Sequence, residues 1–363
     1  MTISTRKLAQ LAGVSPMTAS RAVRGREGVS EALRRQIVAL AQKHHFPLPA
    51  SRAAETPNLL NVLCSLIDIE TDETHSERGF NRRLLAGLRQ GASECGVQLV
   101  NTEPEIEAWP LVVNRRQVDG VVLVLGDELA SHPPFPVPIP AVFIFAGPPE
   151  ADVVTVENFD TASLLGDHLA ALGHRRVAYI GPRTNMSRKR LAGLRSSLES
   201  AGGTVPTECI LIEPQIGGRE ETVDLTDRLL AAARPGNISP NGLASAKSRP
   251  EKCRSEVGFT ALMAYNDYMA AGVILRLRER GVRVPEDVSV VGFDNVRPAW
   301  YDGPDITTAA MPLEDLGAEA ARLVYWRLAH PAAPRRRLAL TAPFVPGETT
   351  RQVGRSRREL HRI

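Results

Sequence analysis

From residue 59 to residue 292 short apolar runs alternate with amphipathic stretches of helical length, and few folds accept that order. The runs 59–67, 97–101, 118–124, 141–145, 177–180, 209–212, 260–264 and 288–292 read as strands. Between them the stretches 82–94, 162–172, 188–201, 221–233 and 269–280 read as helices. Such alternation predicts βαβ units on parallel sheets. There are too many strands for one compact sheet, so a division into two similar lobes is the economical arrangement. The glycine-rich dinucleotide fingerprint and the phosphate-binding Walker pattern are both absent, and no nucleotide cofactor is implied. At 363 residues the chain has room for two sizeable cores and something small besides.

The small part is at the front, and it carries the charge. Residues 1–55 contain nine Lys or Arg against three acidic residues, while the rest of the chain has 35 against 38. A basic head on a slightly acidic body suits a polyanion such as DNA, although charge alone serves a merely solvated terminus equally well. Leu8, Leu11, Ala12 and Val14 follow helical spacing, with Ser4 or Thr5 as the cap of a helix over residues 6–12 and Gly13 ending it. Ser15 can cap a second helix that starts at Pro16, where the missing N–H is no loss. Ser30 and Glu31 open a third, with Leu33, Ile37, Leu40 and Ala41 as its apolar stripe. Leu8, Leu11, Val14, Ala19, Val23, Leu33, Ile37 and Phe46 are the expected core of this three-helix unit.

The run from Lys7 to Gly25, Lys-Leu-Ala-Gln-Leu-Ala-Gly-Val-Ser-Pro-Met-Thr-Ala-Ser-Arg-Ala-Val-Arg-Gly, followed by Val29-Ser30, resembles the headpiece of the lactose-repressor (LacI/GalR) family. The resemblance implies a helix-turn-helix headpiece over residues 1–46 that binds double-stranded DNA, its second helix in the major groove. Arg21 can bond both acceptors of a guanine edge. Thr5, Ser15, Thr18 and Ser20 are short hydroxyl residues suited to phosphate oxygens. Pro16 and Met17 fall at the two positions that most influence operator choice in the family. Neither can make a bidentate hydrogen bond, so apolar contact, for example with a thymine methyl, is the most they offer.

Residues 47–58 read as a proline-rich hinge or linker. The family places a leucine here that wedges into the minor groove; this chain has Glu55, or Thr56 in the adjacent register, which puts the wedge in doubt.

The resemblance continues over the body, in Leu172-Gly-His-Arg-Arg-Val-Ala-Tyr-Ile-Gly181, Ala264-Tyr-Asn-Asp-Tyr-Met-Ala-Ala-Gly272, Val284-Pro-Glu-Asp-Val-Ser-Val-Val-Gly-Phe-Asp-Asn295 and Pro304-Asp-Ile-Thr-Thr308. It implies an α/β, two-lobed, periplasmic-binding-protein-like domain over residues 59–350, with three crossings between the lobes and a small effector in the cleft. A sugar is held by carboxylates and amides that pair with neighbouring hydroxyls, by arginine, and by an aromatic face. At the matching positions Arg190 and Asp294 are the implied arginine and carboxylate, with Asn266 as amide, Asp68 as a further carboxylate, and Phe80 and Trp300 as apolar walls. Arg188-Lys189-Arg190 would also suit a phosphorylated sugar, and a purine is a further possibility. Two stretches depart from the pattern: an insertion at 235–256, and Gly347 where the family has arginine. The basic tail 351–363 lacks leucine heptads, so a homodimer on a two-fold-symmetric operator is expected.

Other classes fit poorly. No His-Glu-x-x-His, Gly-x-Ser-x-Gly or close Cys–His pair marks an enzyme, and His168 and His174 are not at metal-ligand spacing. Cys64, Cys95, Cys209 and Cys253 are far apart and read as reduced core thiols. No run approaches the roughly 18 apolar residues of a membrane span, and the first residues lack a secretory apolar stretch, so a cytoplasmic location is expected.

Overall fold

The computed structural model describes residues 5–23, 29–30, 33, 36–37, 39–41, 59–63, 79–102, 119–124, 139–214, 219–233 and 258–354. The chain divides into two compact units, Met1–Pro57 and Asn58–Ile363. The hinge with Glu55, the insertion 235–256, Asp68 and Phe46 lie outside the described residues.

In the first unit α1 (Thr5–Ala12) and α2 (Pro16–Val23) are joined by a three-residue turn, with Gly13 in the left-handed region at φ 66°. The Ser15 hydroxyl accepts from the Thr18 N–H at 3.0 Å and caps α2 as expected. Residues 33, 36–37 and 39–41 are helical, and the Ser30 hydroxyl accepts from the Leu33 N–H at 3.4 Å. Leu8, Ala22, Ile37 and Ala41 form the core, with Val14, Val23 and Leu33 around it. Leu11 is a correction: spacing placed it inside, but it is 41% exposed. Because α2 contributes only alanines to its buried face, Ala19 and Ala22, a narrow stripe of Leu8, Ala9 and Ala12 is enough to meet it.

The elements of the second unit run in chain order β1 (Leu59–Leu63), α3 (Phe80–Glu94), β2 (Gln98–Thr102), β3 (Val121–Val124), β4 (Ala141–Ile144), β5 (Asp152–Val156), α4 (Asn158–Ala171), β6 (Val177–Pro182), α5 (Asn185–Ser200), β7 (Ile210–Glu213), α6 (Arg219–Ala232), β8 (Ala261–Ala264), α7 (Asp267–Glu279), β9 (Ser289–Val291), β10 (Thr308–Ala309), α8 (Leu313–Ala329), β11 (Arg337–Leu340) and β12 (Phe344–Val345). Two parallel sheets result. The first has the order β11-β5-β4-β3-β1-β2 and the second β7-β6-β8-β9; β10 and β12 pair antiparallel. The chain changes lobe three times: from β5 into α4, from β9 through β10 into α8, and from β11 through β12 back to the second lobe. There the Thr349 carbonyl accepts from the Val290 N–H at 2.8 Å.

Strand alternation explains why helices cover both faces of the second sheet. Val177, Tyr179, Ala261 and Met263 share one core with α4 and α5, while Ala178, Ile180, Leu262 and Ala264 share another with α6 and α7. The sequence reading assigned no element after residue 292 and none at 152–156, so β5, α8 and β11, which complete the first lobe, are additions. Strand β5 begins with Asp152, fully buried, whose carboxylate is gripped by both arms of Arg327 at 2.6 and 2.9 Å. An acid at a strand start reads as a turn until its partner, 175 positions away, is known.

Helix α8 packs on α3 across a close crossing. A Cβ on Gly87 would stand 1.8 Å from the Glu314 carbonyl oxygen, and one on Gly317 2.2 Å from that of Leu84. Arg83–Glu314 and Arg322–Glu94 ion pairs flank it. At Gly347 a Cβ would meet the Asp305 carbonyl oxygen at 2.4 Å, so no arginine fits there in this arrangement. The last segment is anchored further than expected, with the Val353 N–H donating to the Leu172 carbonyl and the Arg351 N–H to Ser289 Oγ.

Candidate functional site

In parallel α/β sheets ligands gather outside the carboxyl ends of the strands, where the strand order reverses. In the second sheet that point falls between β6 and β8. Helix α5 follows β6 and carries Arg190; β8 runs into Tyr265 and Asn266; β9 runs into Phe293 and Asp294. Arg190 is 1% exposed and turned inward. Its Nε donates to the Asn158 amide oxygen at 2.8 Å, its Nη1 to the Tyr265 carbonyl, and its Nη2 stands 3.6 Å from Asp294 Oδ1, too far for a hydrogen bond. The guanidinium lies 3.6 Å from the centre of the Phe293 ring and 4.4 Å from that of Tyr265, both favourable for a cation.

Asp294 adopts φ 105° and Asn295 φ 55°, a strained pair held in place by the ladder from the Asp294 N–H to the Ala309 carbonyl. Burial pushes the Asp294 carboxyl up to about 7, and Arg190 only partly offsets this. Its Oδ1 is buried without a hydrogen-bond partner among the described residues, as is the Asn81 amide oxygen in the first turn of α3. Beside Asn81, Phe80 packs on Phe145 with ring centres 5.6 Å apart. Phe145 also has a positive φ, 73°, at the end of β4. Gly79 lies against Val296, so α3 of the first lobe begins beside the Asp294–Val296 turn of the second.

Of the sequence-implied ligand residues, Arg190 and Asp294 come together, and Phe80 follows Gly79, which lies against Val296 of the same turn. Asn266 caps α7, its amide oxygen accepting from the Met269 N–H at 3.0 Å. Trp300 packs edge-on against Tyr268 at 5.1 Å, with the Arg219 guanidinium 5.3 Å over it, against the core under α6 and α7. Asp68 lies outside the described residues. Asn158, Phe145, Tyr265 and Phe293 were not singled out from sequence, though the last two directly precede Asn266 and Asp294. Asp267 was missed as well; its Oδ2 accepts from the Val296 N–H at 2.9 Å and so shapes the Asp294 turn, and burial holds its carboxyl well above the usual range. A cavity of about 250 Å³ opens next to this turn, bounded by Asp267, Asn295, Tyr301, Asp305, Thr308 and Val345, and it does not reach Arg190.

In the first unit Met17 is 66% exposed and Arg21, one turn on, is exposed beside it, with Pro16 and Ser15 exposed at the start of α2. Ser20, Thr18 and Thr5 are half-buried. The Ser15 and Thr18 hydroxyls already bond each other at 2.8 Å. The face opposite the buried alanines thus presents Met17 and Arg21 together. Among the described residues no cluster could hold a metal ion, and no helix is long and apolar enough to cross a membrane.

A helix-turn-helix unit joined to a two-lobed α/β domain with a polar cluster at its strand ends defines a DNA-binding regulator with a ligand-binding body. Residues 6–47 match the bacterial regulatory proteins of the lacI family and residues 166–350 match the periplasmic binding protein-like domain. The chain belongs to the lacI family of bacterial transcription regulators. The HTH-type transcriptional regulator DegA of Bacillus subtilis (strain 168) is 26% identical over 337 residues, 87% of this chain and 88% of that protein. The ribose operon repressor of Escherichia coli (strain K12) is 28% identical over 353 residues, 92% and 96% of the two chains. The solved transcriptional regulator CelR–cellobiose complex matches with a TM-score of 0.63 and 25% identity, covering 96% of this chain and 99% of that one. The lac repressor dimer bound to operator and the anti-inducer ONPF shares the fold at a TM-score of 0.58 and 23% identity, over 97% and 100%. These relatives are regulators, not enzymes.

Proposed function

We propose that this regulator is a homodimeric repressor whose affinity for a two-fold-symmetric operator is set by a small neutral sugar bound at the Arg190–Asp294 cluster. The observation that carries the reading is the buried Asp294 oxygen without a donor among the described residues, beside an engaged arginine, on a turn whose Val296 lies against Gly79 at the start of the helix that carries Phe80. A sugar supplies hydroxyl donors for the carboxylate and an apolar C–H face for the rings. A neutral ligand fits the cations better: Arg188 and Lys189 are exposed, so the buried cluster offers a single arginine, already bonded through Nε and Nη1 to Asn158 and Tyr265, rather than a convergent set for a phosphate. Similarity to a ribose operon repressor and to a transcriptional regulator solved with cellobiose points the same way.

The ligand would act by bonding Asp294 of one lobe while filling the space beside Phe80 of the other. A ligand that prefers one lobe arrangement shifts the population towards it, typically by a coupling of about 1–3 kcal/mol. On DNA, Arg21 would read a guanine and Met17 would touch an apolar base edge, in half-sites about one duplex turn apart.

The test is selection of genomic fragments by the full-length protein at physiological salt, followed by operator titration with and without ribose, cellobiose, a sugar phosphate or a purine base. A palindromic site whose affinity changes with a neutral sugar supports the reading. Response to the phosphate or the purine alone overturns the ligand class, and sequence-blind binding overturns operator recognition.

A further inference from the structure

We infer that Arg335, Arg336 and Arg337 form a second contact surface for duplex-DNA phosphates, on the larger unit rather than on the helix-turn-helix. All three side chains are exposed, and they lead into β11, the edge strand of the first sheet. Arg337 pairs in register with Val153 of β5, so the triplet sits at the amino-terminal end of the parallel strands. That is also the end at which β1 begins, at Leu59, directly after the segment that tethers the DNA-binding unit. Strand β11 is four places from β1, roughly 19 Å at the usual strand spacing. Twelve residues, 47–58, can span at most about 40 Å, so their length allows one duplex to touch both the first unit and the strip.

The strip is built rather than loose. The Arg336 guanidinium lies 3.4 Å from the centre of the Trp326 ring, whose own plane stacks with His330 at 4.7 Å. An Arg337 nitrogen donates to the Gly147 and Pro148 carbonyls at 3.2 and 3.1 Å. Arg335 stands 3.7 Å from Asp152, a carboxylate already neutralised by Arg327 and bonded by the Arg336 N–H. Glu150 is an exposed acid at this end of β5, against three exposed arginines. Planar guanidinia held by an indole and by carbonyls lose little freedom when they meet phosphate oxygens, and such contacts position without reading sequence.

The inference rests on DNA binding by the first unit and is independent of the effector. Full-length protein is titrated with a 40-base-pair duplex of arbitrary sequence over a range of KCl concentrations. The wild type is compared with R335Q/R337Q, which leaves the Trp326-stacked Arg336 in place, and with K189Q/R278Q, which removes two exposed cations from the other lobe. Each lost phosphate contact lowers the slope of log affinity against log salt by about 0.9, so R335Q/R337Q is expected to flatten it by about 1 to 2, with K189Q/R278Q like the wild type. An unchanged slope, an equal loss in K189Q/R278Q, or a changed oligomeric state with the slope intact overturns the inference. Failure of the wild type to bind any duplex overturns the DNA reading with it. Should R335Q/R337Q not fold, R335Q alone is expected to show about half the change, and an unchanged slope there counts against the strip.

Discussion

At Asp294 a carboxyl that would ionise near 3.8 is held to about 7 by burial. Between those two values the folded protein keeps a proton that the unfolded chain has given up, so this residue makes stability fall as pH rises across that window. The expected outcome is that Asp294→Asn gains stability relative to the wild type from pH 3.8 to about 7 and runs parallel to it outside that range. Urea unfolding of both proteins at several pH values checks this, and parallel curves throughout would remove Asp294 from the account. A ligand donating hydroxyls to the carboxylate binds its ionised form, so effector affinity is expected to rise through about pH 7 in the wild type and to stay flat in Asp294→Asn. Arg190 and Asp294 were legible in the sequence because each sits in a run that resembles its family. The inward turn of Arg190 onto Asn158 and the Phe293 ring was not, since it needs contacts 32 and more positions away.

Among the elements, the α3–α8 crossing decides whether the first lobe closes. Alanine is worth up to about 1 kcal/mol over glycine in a helix, but a Cβ at Gly87 would lie 1.8 Å from a backbone oxygen that cannot rotate away. The clash wins: Gly87→Ala is expected to lower stability by about 1–3 kcal/mol, read from the urea midpoint at constant slope. The same lobe rests on Asp152, whose removal strands Arg327, itself 1% exposed. Asp152→Ala is expected to cost about 3–5 kcal/mol, whereas replacing both partners by apolar residues of similar volume should recover most of it. Measured additivity of the two single changes would contradict that coupling. Helix α8 was overlooked in the sequence although its stripe is regular, and β11 is a short, half-exposed edge strand with no run of buried residues to announce it.

For the whole molecule, the division at Pro57 and Asn58 carries its own expectation. A chain of residues 58–363 should fold, melt in one transition and shift its melting temperature with the effector sugar, while losing measurable duplex binding outside low salt. Retained sequence-specific binding by that fragment, read by fluorescence anisotropy, would mean that the first unit is not the reader.

The helix-turn-helix pattern and the βαβ alternation were legible in the sequence because caps, turn residues and the periods of helix and strand are local properties of the chain, and the family was legible through the resemblance carried by the runs 7–25, 172–181, 264–272 and 284–295. Ser15 as the cap of the second helix was legible in the same way, whereas the shared face of Met17 and Arg21 emerged with the structure. The strand order, the return of α8 and β11 to the first lobe, the packing of Trp300 on Tyr268, the exposure of Leu11 and the close approach at Gly347 came only with the tertiary structure. Each of these depends on which surface a residue meets, and burial, desolvation and ion pairing are set by partners far along the chain: 175 positions for Asp152 and Arg327, and 231 for Arg83 and Glu314.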